Sequence, residues 1–276
     1  MKKTFCTIAT KSHIPYVLAL YESLKEYDKD ILLNACIIDD EPKKDEFEGL
    51  KFYPLKVLSK NKIGKLIIKK YGKNQDKLRW GLKSVFIDFL ITKKKYDKVI
   101  YVDTDIHFFN NYNFLFSLLD KYSILLTPHW REFFPSQGRG FKIFIKDGFF
   151  NAGFIGCNKE GVDAIRWWSS CCLYKIERDY CKGFYDDQKY LDLIPLIFKN
   201  VRILNHKGCN VAEWNKVVCK RTKVKKEVLI NKKWPIIFIH FTESLIKRIE
   251  KGKEELILEY YKKYKNRLKK FTYKTN

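Results

Sequence analysis

Segments with strand character alternate with segments of helical periodicity along most of this chain, and this alternation constrains the fold more than any other feature. Alternation of this kind predicts an α/β fold whose central sheet is mixed but mainly parallel, with flanking helices, as in Rossmann-like domains. The predicted strands are residues 3–9, 31–38, 52–58, 98–102, 123–128, 151–157 and 235–241. The predicted helices are residues 14–26, 78–92, 114–119, 162–174, 186–193 and 195–198.

Two regions depart from this alternation. Residues 130–148 mix aromatic, basic and glycine residues without a clear period, which predicts a long functional loop. Residues 243–271 place apolar residues at roughly helical spacing among many lysines, which predicts a long basic amphipathic helix. We therefore divide the chain into one globular domain over residues 1–241 and a basic helical tail over residues 242–276.

The charge of the chain is strongly positive. It has 55 Lys and Arg against 32 Asp and Glu, a formal net charge of +23, and residues 220–276 hold 18 basic and 6 acidic residues. Such a field attracts nucleic acids, anionic membranes and phosphorylated small molecules without choosing among them. The tail is therefore expected either to lie on an anionic membrane surface or to pack on its own domain. We expect no nucleic-acid partner, because no known binding module is recognisable.

The sequence also bears on the compartment. No signal-peptide pattern follows Met1, and no run approaches the ~20 apolar residues of a membrane-spanning helix, so we expect a cytoplasmic protein or one peripheral on the cytosolic membrane face. None of the eight cysteines forms a C-x-x-C pair, which predicts buried free thiols in a reducing compartment. A zinc site is disfavoured by the spacing of its candidate ligands, Cys171, Cys172, Cys181 and Cys209.

The sharpest local signal is the sequence Tyr101-Val102-Asp103-Thr104-Asp105, which ends the apolar strand 98–102. Residues i and i+2 of an extended backbone point to one side, so both carboxylates can face one ligand. Ligands of α/β proteins bind at the carboxyl edge of the sheet. Carboxylate oxygens suit Mn²⁺ or Mg²⁺, and such an ion can neutralise the diphosphate of a nucleotide sugar. An isolated D-x-D also occurs in solvated loops, so its weight depends on its partners.

Three further patterns supply candidate partners. His240 ends the apolar strand 235–241, where a neutral imidazole could be a third metal ligand or a hydrogen-bonded structural residue. In Phe150-Asn151-Ala152-Gly153-Phe154, Asn151 can both donate to and accept from sugar hydroxyls. Gly153 marks a place where backbone or ligand approaches closely.

The last pattern is Tyr185-Asp186-Asp187-Gln188, two acids and an amide that precede an apolar helical stretch. These side chains could cap that helix. They could equally be reactive groups beside a sugar carbon, and residue types alone leave the two interpretations open.

Six features follow one another along the chain: the first strand, the helix with Trp80 and Lys83, the D-x-D motif at 103–105, the Phe-Asn-Ala-Gly motif at 150–153, the Asp-Asp-Gln motif at 186–188 and the His-Phe motif at 240–241. In this order they resemble the GT-A-fold glycosyltransferases. The resemblance is strongest to glycosyltransferase family 8, the group of glycogenin and the bacterial lipopolysaccharide galactosyltransferases, and covers about residues 3–241. It implies transfer of a sugar from a nucleotide-diphosphate sugar, with a UDP-sugar favoured, to a glycan or lipid-linked acceptor in surface polysaccharide or lipopolysaccharide synthesis. The family's Mn²⁺ or Mg²⁺ dependence is implied as well, as is retention of the anomeric configuration.

The resemblance also assigns roles to individual residues. It implies a metal site formed by Asp103, Asp105 and His240. It implies catalytic positions around the anomeric carbon at Asp186, Asp187 and Gln188. The implied contacts to the nucleotide sugar are Thr7, Ala9, Thr10, Lys83, Asp103, Asn151, Gly153 and Lys247.

One departure concerns the diphosphate. The family usually follows its histidine with a small residue, a glycine and then a lysine, whereas this chain has His240-Phe241-Thr242-Glu243-Ser244, with Lys247 as the substitute. Two alternative functions stay open at this point: a nucleic-acid-binding protein that uses the basic surface, and a non-catalytic protein that binds nucleotide sugars. No G-x-G-x-x-G or P-loop motif supports another class of nucleotide-binding protein.

Overall fold

The computed structural model describes residues 1–40 and 47–272. The strands are β1 Lys3–Ala9, β2 Leu33–Ile37, β3 Leu50–Pro54, β4 Lys98–Val102, β5 Ile106–Phe108, β6 Ile124–Pro128, β7 Phe150–Asn158, β8 Arg178–Asp179, β9 Phe184–Tyr185, β10 Val201–Ile203, β11 Arg221–Val224, β12 Glu227–Ile230, β13 Trp234–Pro235 and β14 Phe238–His240. The α-helices are α1 Ile14–Lys25, α2 Lys62–Tyr71, α3 Gln75–Thr92, α4 Asn113–Leu118, α5 Arg139–Asp147, α6 Val162–Tyr174, α7 Ile194–Ile197, α8 Glu243–Glu250 and α9 Leu258–Thr272.

A mixed sheet of seven strands, in the order β10-β6-β7-β4-β1-β2-β3, forms the centre of the described part of the chain. Only β7 runs antiparallel to its neighbours β6 and β4, and the other pairs are parallel. The predicted α/β class with a mainly parallel sheet is therefore confirmed. Because β1 and β4 are parallel, their carboxyl ends meet at one edge of the sheet.

The sheet is buried on both faces. Along β4, Val99 and Tyr101 pack into the cluster that includes residues of α3 and α6, while Ile100 and Val102 pack into the cluster that includes residues of α1 and α4. This alternation follows from the two-residue period of a strand. Burial on both faces explains why the sequence of β4 is a continuous apolar run apart from its first residue.

Several predicted elements were wrong in detail. The supposed loop 130–148 contains helix α5, and the supposed strand 52–58 is β3 followed by a 3-10 helix, Leu55–Lys60. The last strand is split into β13 and β14. The helical stretch after Gln188 is a 3-10 helix, Lys189–Leu193, followed by the short α7. Short elements of this kind are fixed by tertiary contacts more than by local pattern.

The C-terminal segment is not one continuous helix, because α8 and α9 are separated by a turn around Gly252, whose φ is +67°. Helix α9 packs its apolar side inward: Tyr264 stacks on Phe241 with ring centroids 4.3 Å apart, and Tyr261 and Phe271 are buried. Arg267 and Lys270 pair with Glu26 and Glu22 of α1. The apolar side of the tail is thus occupied by the protein itself.

All eight cysteines lie among the described residues and are free thiols. Six of them are buried as predicted, whereas Cys171 is half-buried and Cys181 is exposed. Burial raises the pKa of the Cys6 thiol, which keeps this group protonated and unreactive. No helix in ranges 1–40 and 47–272 is long and apolar enough to cross a membrane.

Candidate active site

A cavity of about 400 Å³ opens at the edge of the sheet where β1 and β4 end. Asp103 and Asp105 line it from the turn after β4, and Lys83 lines it from α3. His13 and Tyr16, before and within α1, form another part of the wall. The volume lies within the range of small-ligand sites, and its position is the usual ligand edge of an α/β sheet.

Asp103, Asp105 and His240 form the group of possible metal ligands found among the described residues, with one ligand atom of each lying within 4.8 Å of the others. The carboxylates do not converge through extended backbone, as the sequence argument assumed. Residues 103–106 instead form a turn in which the Ile106 amide donates to the Asp103 carbonyl at 3.1 Å. The prediction that the two carboxylates lie close together is thus correct, but its stated reason, an extended backbone, is wrong.

His240 reaches this turn through strand pairing. β14 runs antiparallel to β5, with His240 opposite Ile106, and the Phe241 amide donates to the Asp105 carbonyl at 2.8 Å. His240 Nε2 then lies 3.0 Å from Asp105 Oδ1. Its other ring nitrogen, Nδ1, lies 3.3 Å from Asn210 Oδ1, a contact of the kind that fixes the ring of a metal-binding histidine.

Two observations test whether a divalent ion fits here. Two carboxylates and one imidazole form a donor set that suits Mn²⁺ and accommodates Mg²⁺. The space beside them is kept open by Gly153, at which a Cβ atom would lie 2.6 Å from His240 Cε1 and 3.0 Å from Asp103 Oδ2. The residues present therefore fit the ion that the fold implies.

His240 and Asp105 shift each other's pKa. Burial alone would lower the pKa of His240, but the nearby Asp105 and Asp103 carboxylates outweigh burial and raise it. Burial would raise the pKa of Asp105, and the charge and hydrogen bond of His240 outweigh burial and lower it. Both shifts favour a pair of protonated His240 with ionised Asp105, and metal binding competes with that proton.

Lys83 connects the metal ligands to the second group of acids. Its Nζ lies 3.2 Å from Asp103 Oδ1, 3.4 Å from Asp187 Oδ2 and 3.1 Å from the Ala152 carbonyl oxygen. Burial lowers the pKa of this amine, but Asp103 and Asp187 together raise it above its usual value. Lys83 is therefore a fixed positive charge between the two carboxylates.

The structure separates the three residues of the Asp186-Asp187-Gln188 sequence. Asp186 has a left-handed backbone, with φ at +50°, and its carboxylate pairs with Arg178. Gln188 is fully engaged: its Oε1 accepts from the Asn151 side chain and the Ala152 amide, each at 3.1 Å, and its Nε2 donates to the Asp147 carbonyl at 3.0 Å.

Asp187 alone retains capacity for a ligand. Apart from its ion pair with Lys83, its Oδ2 finds no hydrogen-bond partner among the described residues, although the side chain is buried. The backbone there is fixed, because Trp168 Nε1 donates to the Asp187 carbonyl at 2.8 Å. Burial raises the pKa of Asp187 to about 6, against the opposing charge of Lys83.

The raised pKa of Asp187 predicts that this carboxyl lowers the folding stability at neutral pH. A carboxyl whose pKa rises from 3.8 to about 6 on folding stabilises the fold below pH 3.8, and that stability is lost as pH rises through 6. The rise in pKa from 3.8 to about 6 corresponds to about 3 kcal/mol of folding free energy. We therefore expect Asp187→Asn to melt at a higher temperature than the wild type at pH 7.5, with a smaller advantage at pH 4.5, in calorimetry at both pH values. An equal difference at the two pH values would contradict the assignment.

Among the remaining predicted residues, Asn151 contacts other residues of the site, whereas Thr7, Ala9, Thr10 and Lys247 do not line the cavity. Asn151 lies within the site, where its Oδ1 accepts from the Gly153 amide and the Asn210 side chain, each at 3.1 Å. Thr7 and Ala9 are buried in β1 and are absent from the cavity wall, whereas Thr10 hydrogen-bonds to His13 Nδ1 at 2.7 Å. Lys247 also lies outside the wall and pairs with Glu243, which does line the cavity.

Sequence reasoning missed several residues of the site, and two of them contact its predicted members directly. The Tyr101 hydroxyl donates to Asp103 Oδ1 at 2.8 Å, so it holds that carboxylate beside Lys83. Asn210, whose φ is +60°, contacts both Asn151 and His240. The position of Tyr101 two residues before Asp103 could have suggested its role, but no local pattern marks Asn210.

The fold is similar to that of solved glycosyltransferases. It superposes on mouse xyloside xylosyltransferase 1 with a TM-score of 0.53 and 13% identity, covering 89% of this chain and 99% of that one. A glycosyltransferase involved in glycosylation of the major capsid of PBCV-1 gives a TM-score of 0.52 and 12% identity over 91% and 98%. The chain therefore has a GT-A glycosyltransferase fold, and the resemblance stated from the sequence is confirmed at this level.

Two bacterial sequences are similar along nearly the whole chain. Uncharacterized protein YfnF of Bacillus subtilis (strain 168) is 24% identical over 268 residues, which is 92% of this chain and 86% of YfnF. Uncharacterized protein YfnD of the same strain is 28% identical over 250 residues, which is 86% of this chain and 76% of YfnD. No protein-family model matches the chain.

Proposed function

We propose that this protein is a metal-dependent glycosyltransferase that moves a sugar from a nucleotide-diphosphate sugar, with a UDP-sugar favoured, to a glycan or lipid-linked acceptor. The observation that carries the proposal is the position of Lys83, which contacts the metal-ligand carboxylate of Asp103 and the poised carboxylate of Asp187. The cavity thus offers a place for a diphosphate-bound ion, and Lys83, in the cavity wall, links this place to the buried carboxylate of Asp187. A GT-A fold supplies the same arrangement of sheet and ligand edge.

Asp103, Asp105 and His240 would hold Mn²⁺ or Mg²⁺, which stabilises the negative charge that builds on a departing diphosphate. Lys83 adds a fixed positive charge on the side of Asp187, where it can contact the phosphate or the donor sugar. His13 and Tyr16 offer ring surfaces in the same cavity against which a nucleoside base can pack.

Asp187 is the residue we assign to the anomeric carbon, either as the nucleophile or as a negative charge that stabilises the sugar cation. Gln188 positions the Asn151 side chain and the backbone of β7 beside it. Asp186 acts through its pair with Arg178, which holds the turn. We propose retention of configuration, and an NMR spectrum of the first-formed product that shows inversion would contradict it.

We place the reaction in the synthesis of surface polysaccharide or lipopolysaccharide at the cytosolic face of a membrane. Residues 1–241 would form the catalytic domain. Residues 242–276 would act as a basic extension, with Glu243 and Ile246 of α8 lining the donor cavity.

Donor binding gives a direct test of the proposal. We expect UDP-sugars with Mn²⁺ to raise the melting temperature. At a free UDP-sugar concentration of 100 times its Kd, binding adds about 2.7 kcal/mol to the free energy of unfolding. UDP-sugar without Mn²⁺, and GDP- or CMP-sugars with it, serve as controls in the same thermal-shift assay. A rise without any sugar transfer would indicate a non-catalytic nucleotide-sugar-binding protein, and no rise with any nucleotide sugar would reject the proposal.

A further inference from the structure

Helix α5 presents an exposed, mixed basic and apolar surface that the donor site does not use. The positions 139, 142 and 146 recur at i, i+3 and i+7, which places Arg139, Lys142 and Lys146 on one side of the helix, and all three are exposed. Ile145 is 48% exposed next to them, and Phe134, in the segment leading into the helix, is 65% exposed.

Aromatic contacts make this surface continuous with its surroundings. Phe133 lies edge-on to Phe144 with centroids 5.6 Å apart, and Phe144 lies 5.0 Å from Phe149. Phe133 and Phe149 are each more than one third exposed. We call the following residues the α5 surface: Phe133, Phe134, Arg139, Lys142, Ile145 and Lys146.

The carboxyl end of α5 is tied to the catalytic segment. The Asp147 carbonyl accepts from Gln188 Nε2 at 3.0 Å, and the Ile145 carbonyl accepts from Lys189 Nζ at 2.7 Å. The buried Asp147 carboxylate is already neutralised by Arg131 at 2.7 Å and by the Tyr180 hydroxyl at 3.1 Å. The acid that faces the helix from its own flank is Glu132, beside Gly140, so the outer side of α5 keeps a net positive charge.

The C-terminal tail exposes many cations but few apolar side chains. Tyr261, Tyr264 and Phe271 of α9 are buried against the protein, and only Leu258, at its first residue, is an exposed large apolar side chain among the described residues of this helix, so its outer side presents mainly lysines. An interfacial helix needs both, because apolar side chains enter the headgroup region while cations attract anionic lipid. Of α5 and α9, it is α5 that exposes several apolar side chains together with its cations. Helix α2 also exposes Leu66 beside lysines, and what distinguishes α5 is its hydrogen bonds to Gln188 and Lys189 of the catalytic segment.

We propose that the α5 surface docks on an anionic phospholipid bilayer and so holds the catalytic cleft at the membrane, where a lipid-linked acceptor is presented. This inference rests on the proposed function, because it takes the cleft to be the site of sugar transfer. It assigns membrane contact to α5 rather than to the basic tail. Complementary charge and interleaved apolar residues identify the occupant as an anionic bilayer.

Co-sedimentation with phosphatidylcholine vesicles, with and without phosphatidylglycerol, tests the assignment on the full chain. Wild-type protein should pellet with the phosphatidylglycerol vesicles at low salt and be released at high salt, because the Debye length falls to ~3 Å at 1 M. The triple variant Arg139→Gln, Lys142→Gln, Lys146→Gln should bind about 10- to 100-fold more weakly, at roughly 1 kcal/mol for each engaged cation. Phe134→Ser with Ile145→Ser should also weaken binding.

Matched variants elsewhere provide the controls. Lys263→Gln, Lys265→Gln, Lys269→Gln removes three exposed charges from α9, and Leu66→Ser with Val217→Ser removes two exposed apolar groups distant from α5 in sequence. Both should bind vesicles as the wild type does. Equal binding by the α5 variants, loss of binding in the α9 variant, or absence of vesicle binding by the wild type would each overturn the inference.

Two further measurements separate this inference from the proposed function. The α5 variants should keep Mn²⁺-dependent stabilisation by UDP-sugar, which reports on the donor site without vesicles. If the wild type shows that stabilisation but no vesicle binding, only the docking surface is wrong. Light scattering decides against the lipid assignment if the wild type is a dimer that Phe134→Ser with Ile145→Ser converts to a monomer.

Discussion

The Asp105→Asn variant is expected to transfer sugar about 1000-fold more slowly than the wild type, a loss of about 4 kcal/mol of transition-state stabilisation. The substitution keeps the size of the side chain and removes one of two carboxylate ligands. It also removes the carboxylate that lies 3.0 Å from His240 Nε2 and raises the pKa of that imidazole. Initial transfer rates at saturating UDP-sugar and Mn²⁺ measure the effect.

Asp163→Asn is the matched control, because this carboxylate lies on the exposed side of α6 with its side chain 86% accessible. It should transfer sugar at the wild-type rate. Mn²⁺ titrations of both variants, followed by thermal shift, separate a lost metal site from a disturbed fold. Wild-type activity of Asp105→Asn would remove Asp105 from the site and with it the metal-dependent mechanism.

The second large effect is expected at a residue that carries no functional group. In Gly153→Ala, the added methyl would lie 2.6 Å from His240 Cε1 and 2.7 Å from Asn151 Oδ1, closer than non-bonded atoms approach. If the imidazole moves, a candidate metal ligand is displaced, and if the amide moves, the Asn210 contact that holds His240 is disturbed. We expect transfer to fall by at least about 100-fold, and overpacking to cost about 1–3 kcal/mol of folding stability.

Gly156→Ala lies on the same strand and gives the comparison. Its methyl would meet the Leu125 side chain at 3.0 Å, on a part of β7 that faces the core. This variant should lose a similar amount of stability but keep its response to Mn²⁺ and UDP-sugar. If the two alanine variants respond to Mn²⁺ alike, Gly153 does not shape the ligand site.

The sequence was most informative where local pattern and burial agree. β1, β4 and α6 have the bounds that their apolar patterns predicted, because a strand or helix buried along its length must show that burial in its sequence. Helix α5 was missed for the converse reason. It is short, Asp147 is its only buried residue, and its position is set by contacts of Asp147 with Arg131 and Tyr180.

By itself, the sequence determined the fold class and the strand that delivers Asp103, and it singled out the acids and the histidine of the candidate site. Only the tertiary structure decided how they meet. The pairing of β5 with β14 brings His240 to Asp105, and packing of α3 under the sheet places Lys83 between Asp103 and Asp187. Such contacts join residues far apart in the chain and depend on strand register and helix packing, whereas local periodicity records only which side of each element is buried.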